Sequence, residues 1–178
     1  MFVIHPSDSS TAFLAGLYAG LPDVTCLTGG ESRNCLTSFL FHRPVGEPLM
    51  LLGHGTEAGL FRLDEDGEYR RYVGRSMAYC LRKHPVIGIW CHANLFAKEM
   101  HLHGLFSGMI ISEMDEAEEY GITCTPEELA RENEKFVQNL KRILDSGVPL
   151  FSVPAAMRSL GCRESELEWF NYNSLYYL

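Results

Sequence analysis

Two stretches of the chain share one design, an uninterrupted apolar run that ends on a chemically reactive side chain. Pro48-Leu49-Met50-Leu51-Leu52-Gly53 runs into His54-Gly55, and Val86-Ile87-Gly88-Ile89-Trp90 runs into Cys91-His92. Apolar runs of this length, without polar alternation, are the mark of strands buried on both faces, the habit of parallel sheets covered by helices. Open α/β sheets bind ligands in the crevice beyond the carboxyl ends of their strands. A base and a thiol delivered to that shared edge form a candidate catalytic dyad.

The remaining patterning completes an alternation of strands and helices. A first strand over 2–4 leads through a cluster of helix-capping residue types into a helix carrying Leu14, Leu17, Tyr18 and Leu21 at helical spacing. Further strands are expected over 24–27, 108–112 and 148–153, and helices over 34–42, 76–84, 95–103 and 164–176. Asp66-Gly67 between two partly alternating runs predicts a small β-hairpin outside the main sheet. Thr125-Pro126-Glu127-Glu128 is a capping box with proline at the first helical position, and the helix behind it carries an apolar stripe from Leu129 to Leu144. The expected fold is α/β, a three-layer α/β/α sandwich with a mainly parallel sheet, formed as one domain over 1–178.

Charge and cysteine usage narrow the function classes. A formal net charge of −8 opposes a role in binding nucleic acid, which requires a basic face. The six cysteines form no C-x-x-C pair, so neither a zinc ribbon nor a thioredoxin-type motif is indicated. Residues 1–10 lack the basic and apolar regions of a signal peptide, and no apolar run approaches the ~20 residues of a membrane span. The expectation is a reduced, cytoplasmic compartment, with no membrane partner.

At the strand ends the chemistry can be assigned by residue. His54 supplies an imidazole base and Cys91 a nucleophilic thiol. Gly55, lacking a Cβ, lets a carbonyl approach the backbone closely, so the N–H groups of Gly55 and Cys91 are candidates for an oxyanion hole. His92 adjoins the thiol, but neighbouring side chains of an extended backbone point to opposite sides. It is therefore a tuning or substrate-binding residue rather than the base. The acidic run Glu113, Asp115, Glu116, Glu118 and Glu119 follows a strand toward the same edge, and Glu113 and Asp115 are the candidates for binding a basic substrate residue. Glu99, His101 and His103 do not share one helical face, and they read as a solvated helix end rather than a metal site.

Leu52-Gly53-His54-Gly55-Thr56 and Trp90-Cys91-His92-Ala93-Asn94 resemble the His-Gly and Cys motifs of the caspase-like cysteine peptidases (clan CD), among which the metacaspases, with S-G-H-G and D-x-C-H-S-G, are nearest. The likeness spans about residues 48–113. It implies a caspase–haemoglobinase fold, His54 as base, Cys91 as nucleophile, a peptide or protein substrate, and no cofactor or metal. Where metacaspases carry an aspartate two residues before the cysteine this chain has Ile89, and their Ser-Gly after Cys-His is Ala93-Asn94 here. The competing expectation is a catalytically inactive caspase-like or flavodoxin-like module that uses the crevice to bind a peptide, a nucleotide or a partner domain.

Overall fold

Alternation along the central strands sorts their side chains into two cores. The structure, a computed structural model, describes residues 1–161 and 165–178. In chain order its regular elements are β1 (Phe2–Ile4), β2 (Thr25–Leu27), α1 (Arg33–Phe41), β3 (Leu49–Leu52), β4 (Gly55–Thr56), β5 (Gly59–Leu63), β6 (Tyr69–Gly74), α2 (Ala78–Leu81), β7 (Pro85–Ile89), α3 (Ala93–Met100), β8 (His103–Ser107), α4 (Met114–Glu119), α5 (Pro126–Asp145), α6 (Val153–Leu160), α7 (Glu166–Asn173) and β9 (Leu175–Tyr177). Phe2, Ile4, Leu49, Leu51 and Val86 face a core shared with α1, α2 and α3. Val3, Met50, Leu52, Ile87 and Ile89 face the opposite core, built with Phe136, Val137 and Leu140 of α5 and with α6 and α7. A strand buried on both sides has no polar face to show, which is why the sequence runs are continuously apolar.

The main sheet has the order β2-β1-β3-β7-β8-β9, with every pairing parallel except the last, and β4-β5-β6 form a separate antiparallel sheet. The fold is thus the expected α/β/α sandwich with a mainly parallel sheet. The expected hairpin is there as β5 and β6, extended to three strands by β4 directly after His54.

Several boundaries differ from the sequence expectation. The strand expected over 108–112 is instead β8, earlier in the chain. Gly104, which reads as a helix stop, lies within it, where a Cβ would collide with the Val86 backbone. The segment 148–153 is not a strand but a 3₁₀ turn leading into α6, with a proline in the first helical turn, where its missing N–H costs nothing. The first expected helix is a short 3₁₀ segment, Ala12–Leu17. The last helix begins at Glu166, with Ser165 capping the Glu168 N–H, and the expected start at Glu164 falls outside the described residues. Leu175 and Tyr176, expected as the end of that helix, form β9 with Tyr177 and pair with β8. Among the described residues, no helix is long and apolar enough to cross a membrane.

Candidate active site

The register of the two central strands determines where the dyad stands. Leu52 of β3 pairs with Ile89 of β7 in a parallel ladder, and His54 and Cys91 each follow that pair by two residues. They leave neighbouring strands at the same height. Both also continue the α5-facing set, Met50-Leu52 on one strand and Ile87-Ile89 on the other. They line one cavity of about 20 Å³ together with Thr11, Leu14, Trp90 and Ile110. That is room for about one water molecule.

Trp90 and Ser107 fix the cysteine. The buried Ser107 hydroxyl accepts from the Trp90 N–H (2.9 Å) and donates to the Trp90 carbonyl (2.7 Å), tying the end of β7 to β8. The Trp90 indole N–H donates to the Thr56 carbonyl at 3.1 Å, joining the cysteine segment to the histidine segment. His92 then takes a left-handed conformation (φ 66°) and caps α3, and its N–H donates to the Gly108 carbonyl at 3.0 Å. The turn carries His92 away from the base position, so the imidazole that joins Cys91 at the cavity is that of His54.

A hydrogen-bond network fixes the proton on His54. Its Nε2 lies 2.6 Å from the Ser10 hydroxyl, which lies 2.7 Å from Asp8 Oδ1. Asp8 also accepts from the Ser10 N–H (2.9 Å) and, through Oδ2, from the Tyr69 hydroxyl (3.0 Å). Burial by itself would raise the Asp8 pKa, but the bonds from Ser10 and Tyr69 and the neighbouring His54 outweigh it and hold it below the usual value. An ionised Asp8 only accepts, so the single Ser10 hydroxyl proton must lie between the two oxygens, and Nε2 must supply the proton to Ser10. The reverse assignment would set two oxygens 2.7 Å apart with no proton between them. Nε2 is therefore protonated in the neutral ring, and Nδ1 is the basic nitrogen. The Tyr69 ring sits 5.2 Å from the imidazole, and burial first, then the hydrogen bond to Asp8, oppose ionisation of its phenol.

The thiol faces carboxylates. Cys91 Sγ lies 3.5 Å from Glu116 Oε1 and 3.6 Å from the Ile110 carbonyl. Burial first, and then the charge of Glu116, push its pKa up to about 12, with Glu113 adding to the effect. The thiol is thus neutral and donates to Glu116. The other Glu116 oxygen accepts from the Ser112 N–H (2.7 Å), the Ser112 hydroxyl (3.1 Å) and the Glu113 N–H (3.1 Å), completing the capping box of α4. Glu113 Oε2 stands 3.8 Å from His54 Nε2 and Asp8 Oδ1 3.9 Å from it.

Of the residues singled out in the sequence, His54, Cys91, Gly55 and Glu113 thus gather at one edge. Asp115 is exposed on the first turn of α4, and Asp8 and Glu116 stand beside the dyad in its place. Gly55 is dictated by packing, since an added Cβ would strike the Trp90 indole and the Gly59 carbonyl. The His54 carbonyl accepts from the Phe61 N–H at 2.8 Å, so the Gly55 N–H of the same planar peptide points away from β5. The Cys91 N–H makes no hydrogen bond among the described residues.

Sequence reasoning missed Asp8, Ser10, Thr11, Tyr69 and Glu116. The first three follow β1, which pairs with β3 and ends on the same edge, so the sheet order would have found them. Thr11 is buried, its carbonyl lies 3.2 Å from Nε2 of the buried His5, and its hydroxyl has no partner among the described residues while the residue lines the dyad cavity. Neither a protein-family model nor a curated protein sequence matches the chain.

Proposed function

We propose that the chain is a caspase-like cysteine peptidase that cleaves after a basic residue, with Cys91 as nucleophile and His54 as base. The observation that carries this reading is the equivalent position of the two residues beyond the Leu52–Ile89 pair, facing one cavity. His54 Nδ1 takes the thiol proton, and the thiolate adds to the scissile carbonyl. The resulting oxyanion is met by the N–H groups of Cys91 and Gly55 and by the Thr11 hydroxyl. The imidazolium returns its proton to the leaving amine, and water, deprotonated by the same nitrogen, hydrolyses the thioester.

The acidic surroundings support the basic substrate residue. Glu113 and Glu116 both oppose formation of the thiolate. A guanidinium or ammonium paired with them removes that opposition, so the charge that is recognised also favours the reactive form of sulfur. Peptidyl acyloxymethyl ketones carrying Arg, Lys, Leu or Asp next to the reactive carbon test the reading. The Arg and Lys probes should add covalently to Cys91, as read by intact-mass and peptide mass spectrometry, and the adduct should vanish in Cys91→Ala and His54→Ala. No adduct with any probe would remove the peptidase reading.

The neutral thiol and the small volume of the cavity favour one rival, a non-catalytic peptide-binding module on the same edge. On that reading basic peptides bind reversibly, Cys91→Ala binds them equally well, and no adduct forms.

A further inference from the structure

Where α1, β6 and α3 come together, the chain gathers a group of arginines. A concave pocket of about 630 Å³ is lined by Arg33 from the first turn of α1, Arg71 from β6 and Arg75 just beyond it, with Tyr72 and Phe96 among its other walls. Although the chain carries a net charge of −8, two of these three arginines pair with no carboxylate among the described residues. Arg71 makes no ion pair or side-chain hydrogen bond among the described residues, and Arg33 donates only to the Ser76 hydroxyl. Arg75 alone is neutralised, by Glu99. The stem of Arg71 lies against the backbone at Gly74, where an added Cβ would come within 2.8 Å of its Cδ. Glycine there leaves space for the arginine to lie along the pocket wall.

We propose that this pocket binds a phosphate-bearing small molecule of about nucleotide size. Guanidinium groups match phosphate oxygens with paired, parallel hydrogen bonds, and a doubly charged group satisfies two arginines at once. A bare phosphate would leave most of the pocket unfilled, because volumes of about 300–1,000 Å³ suit organic ligands. Glu57 and Glu99, also in the lining, oppose an all-anionic ligand and accept hydrogen bonds from hydroxyl groups. The chemistry that answers all of these groups is a phosphate or pyrophosphate attached to a hydroxylated body, as in nucleotides and sugar phosphates. Binding here is independent of the peptidase reading and uses none of its residues.

Isothermal titration of the full chain with ATP, ribose 5-phosphate, inorganic phosphate and a glutamate-rich peptide tests it, at low and at raised salt. ATP or ribose 5-phosphate should bind at one saturable site, more tightly than inorganic phosphate, with affinity falling as salt is raised. Stronger ATP binding would identify a nucleotide, and stronger ribose 5-phosphate binding a sugar phosphate. Arg71→Gln and Arg33→Gln should each weaken the site about tenfold or more while leaving the unliganded melting temperature unchanged. The proposal is overturned if neither organic phosphate binds up to millimolar concentration, if both glutamine variants bind as the wild type does, or if the acidic peptide binds as well as the phosphates.

Discussion

Glu116 holds the Cys91 thiol with one carboxylate oxygen, 3.5 Å from sulfur, and the start of α4 with the other. One side chain therefore caps a helix and helps keep the Cys91 thiol protonated. The thiol gives its proton to a hydrogen bond with a carboxylate rather than to an imidazole, and on the proposed peptidase reading chemistry would begin by breaking that contact.

Replacing Glu116 by Gln keeps an acceptor for the α4 cap and removes the charge. The Cys91 pKa should fall from about 12, though not to the value of a free thiol, because burial is the larger cause. Below that pKa the thiolate fraction changes about tenfold per unit. Iodoacetamide labelling of Cys91 at pH 8, followed by peptide mass spectrometry, should be slow in the wild type and several-fold faster in Glu116→Gln. Equal rates would mean that the carboxylate does not restrain the thiol.

Ser10 is a positioning residue for the imidazole. Ser10→Ala removes the acceptor for Nε2–H and frees the ring to exchange tautomers. On the proposed peptidase activity kcat should fall about tenfold or more, with KM nearly unchanged. Ser10→Thr, which keeps a hydroxyl, should recover most of the loss. A change confined to KM with kcat unaltered, or no recovery by threonine, would contradict the assignment.

Asp8 ties stability to acid. Its folded pKa lies below the reference value of 3.8, so its contribution is present above that value and is lost as pH falls through the lower folded pKa. Asp8→Asn should be less stable than the wild type near neutrality, and the difference should close as pH drops below the carboxylate range. Urea unfolding at a series of pH values gives this directly.

Gly55 has no space for a methyl group between Trp90 and Gly59. Gly55→Ala should cost about 1–3 kcal/mol through overpacking, visible as a fall in Tm of about 2–4 °C per kcal/mol for a chain of this length. A neutral result would show that the Trp90 indole yields easily.

Asn171 of α7, itself buried, accepts from the Ile111 N–H (2.8 Å) and donates to the Ile111 carbonyl (2.9 Å). The clasp holds the loop that carries Ile110 and Glu113 to the dyad. Asn171→Ala leaves both backbone groups unpaired, each at about 1–3 kcal/mol. Chemical denaturation should register the loss, and Cys91 labelling should quicken as the loop loosens.

The parts of this molecule that could be read from its letters are those set by local physics. The runs ending at Gly53 and Trp90 are apolar because both faces are buried, and Thr125 with Glu128 forms the capping box its spacing predicts. β8 and β9 were hidden because their signals are tertiary. Gly104 reads as a helix stop but answers to the nearby Val86 backbone, and Tyr176-Tyr177 pair with a strand some 70 positions earlier in the chain. The meeting of His54 and Cys91 at one sheet edge was legible, whereas the chain Tyr69–Asp8–Ser10–His54 joins loops far apart in sequence and needed the sheet order. Asp115 looked equivalent to Glu116, and only the phase of α4 decides which of the two turns inward.

The two outermost strands of the large sheet, Thr25–Leu27 and Leu175–Tyr177, are three residues long each. An incoming chain that added itself there would find too few free amides to repay its own ordering, so lateral growth into fibres is discouraged by brevity.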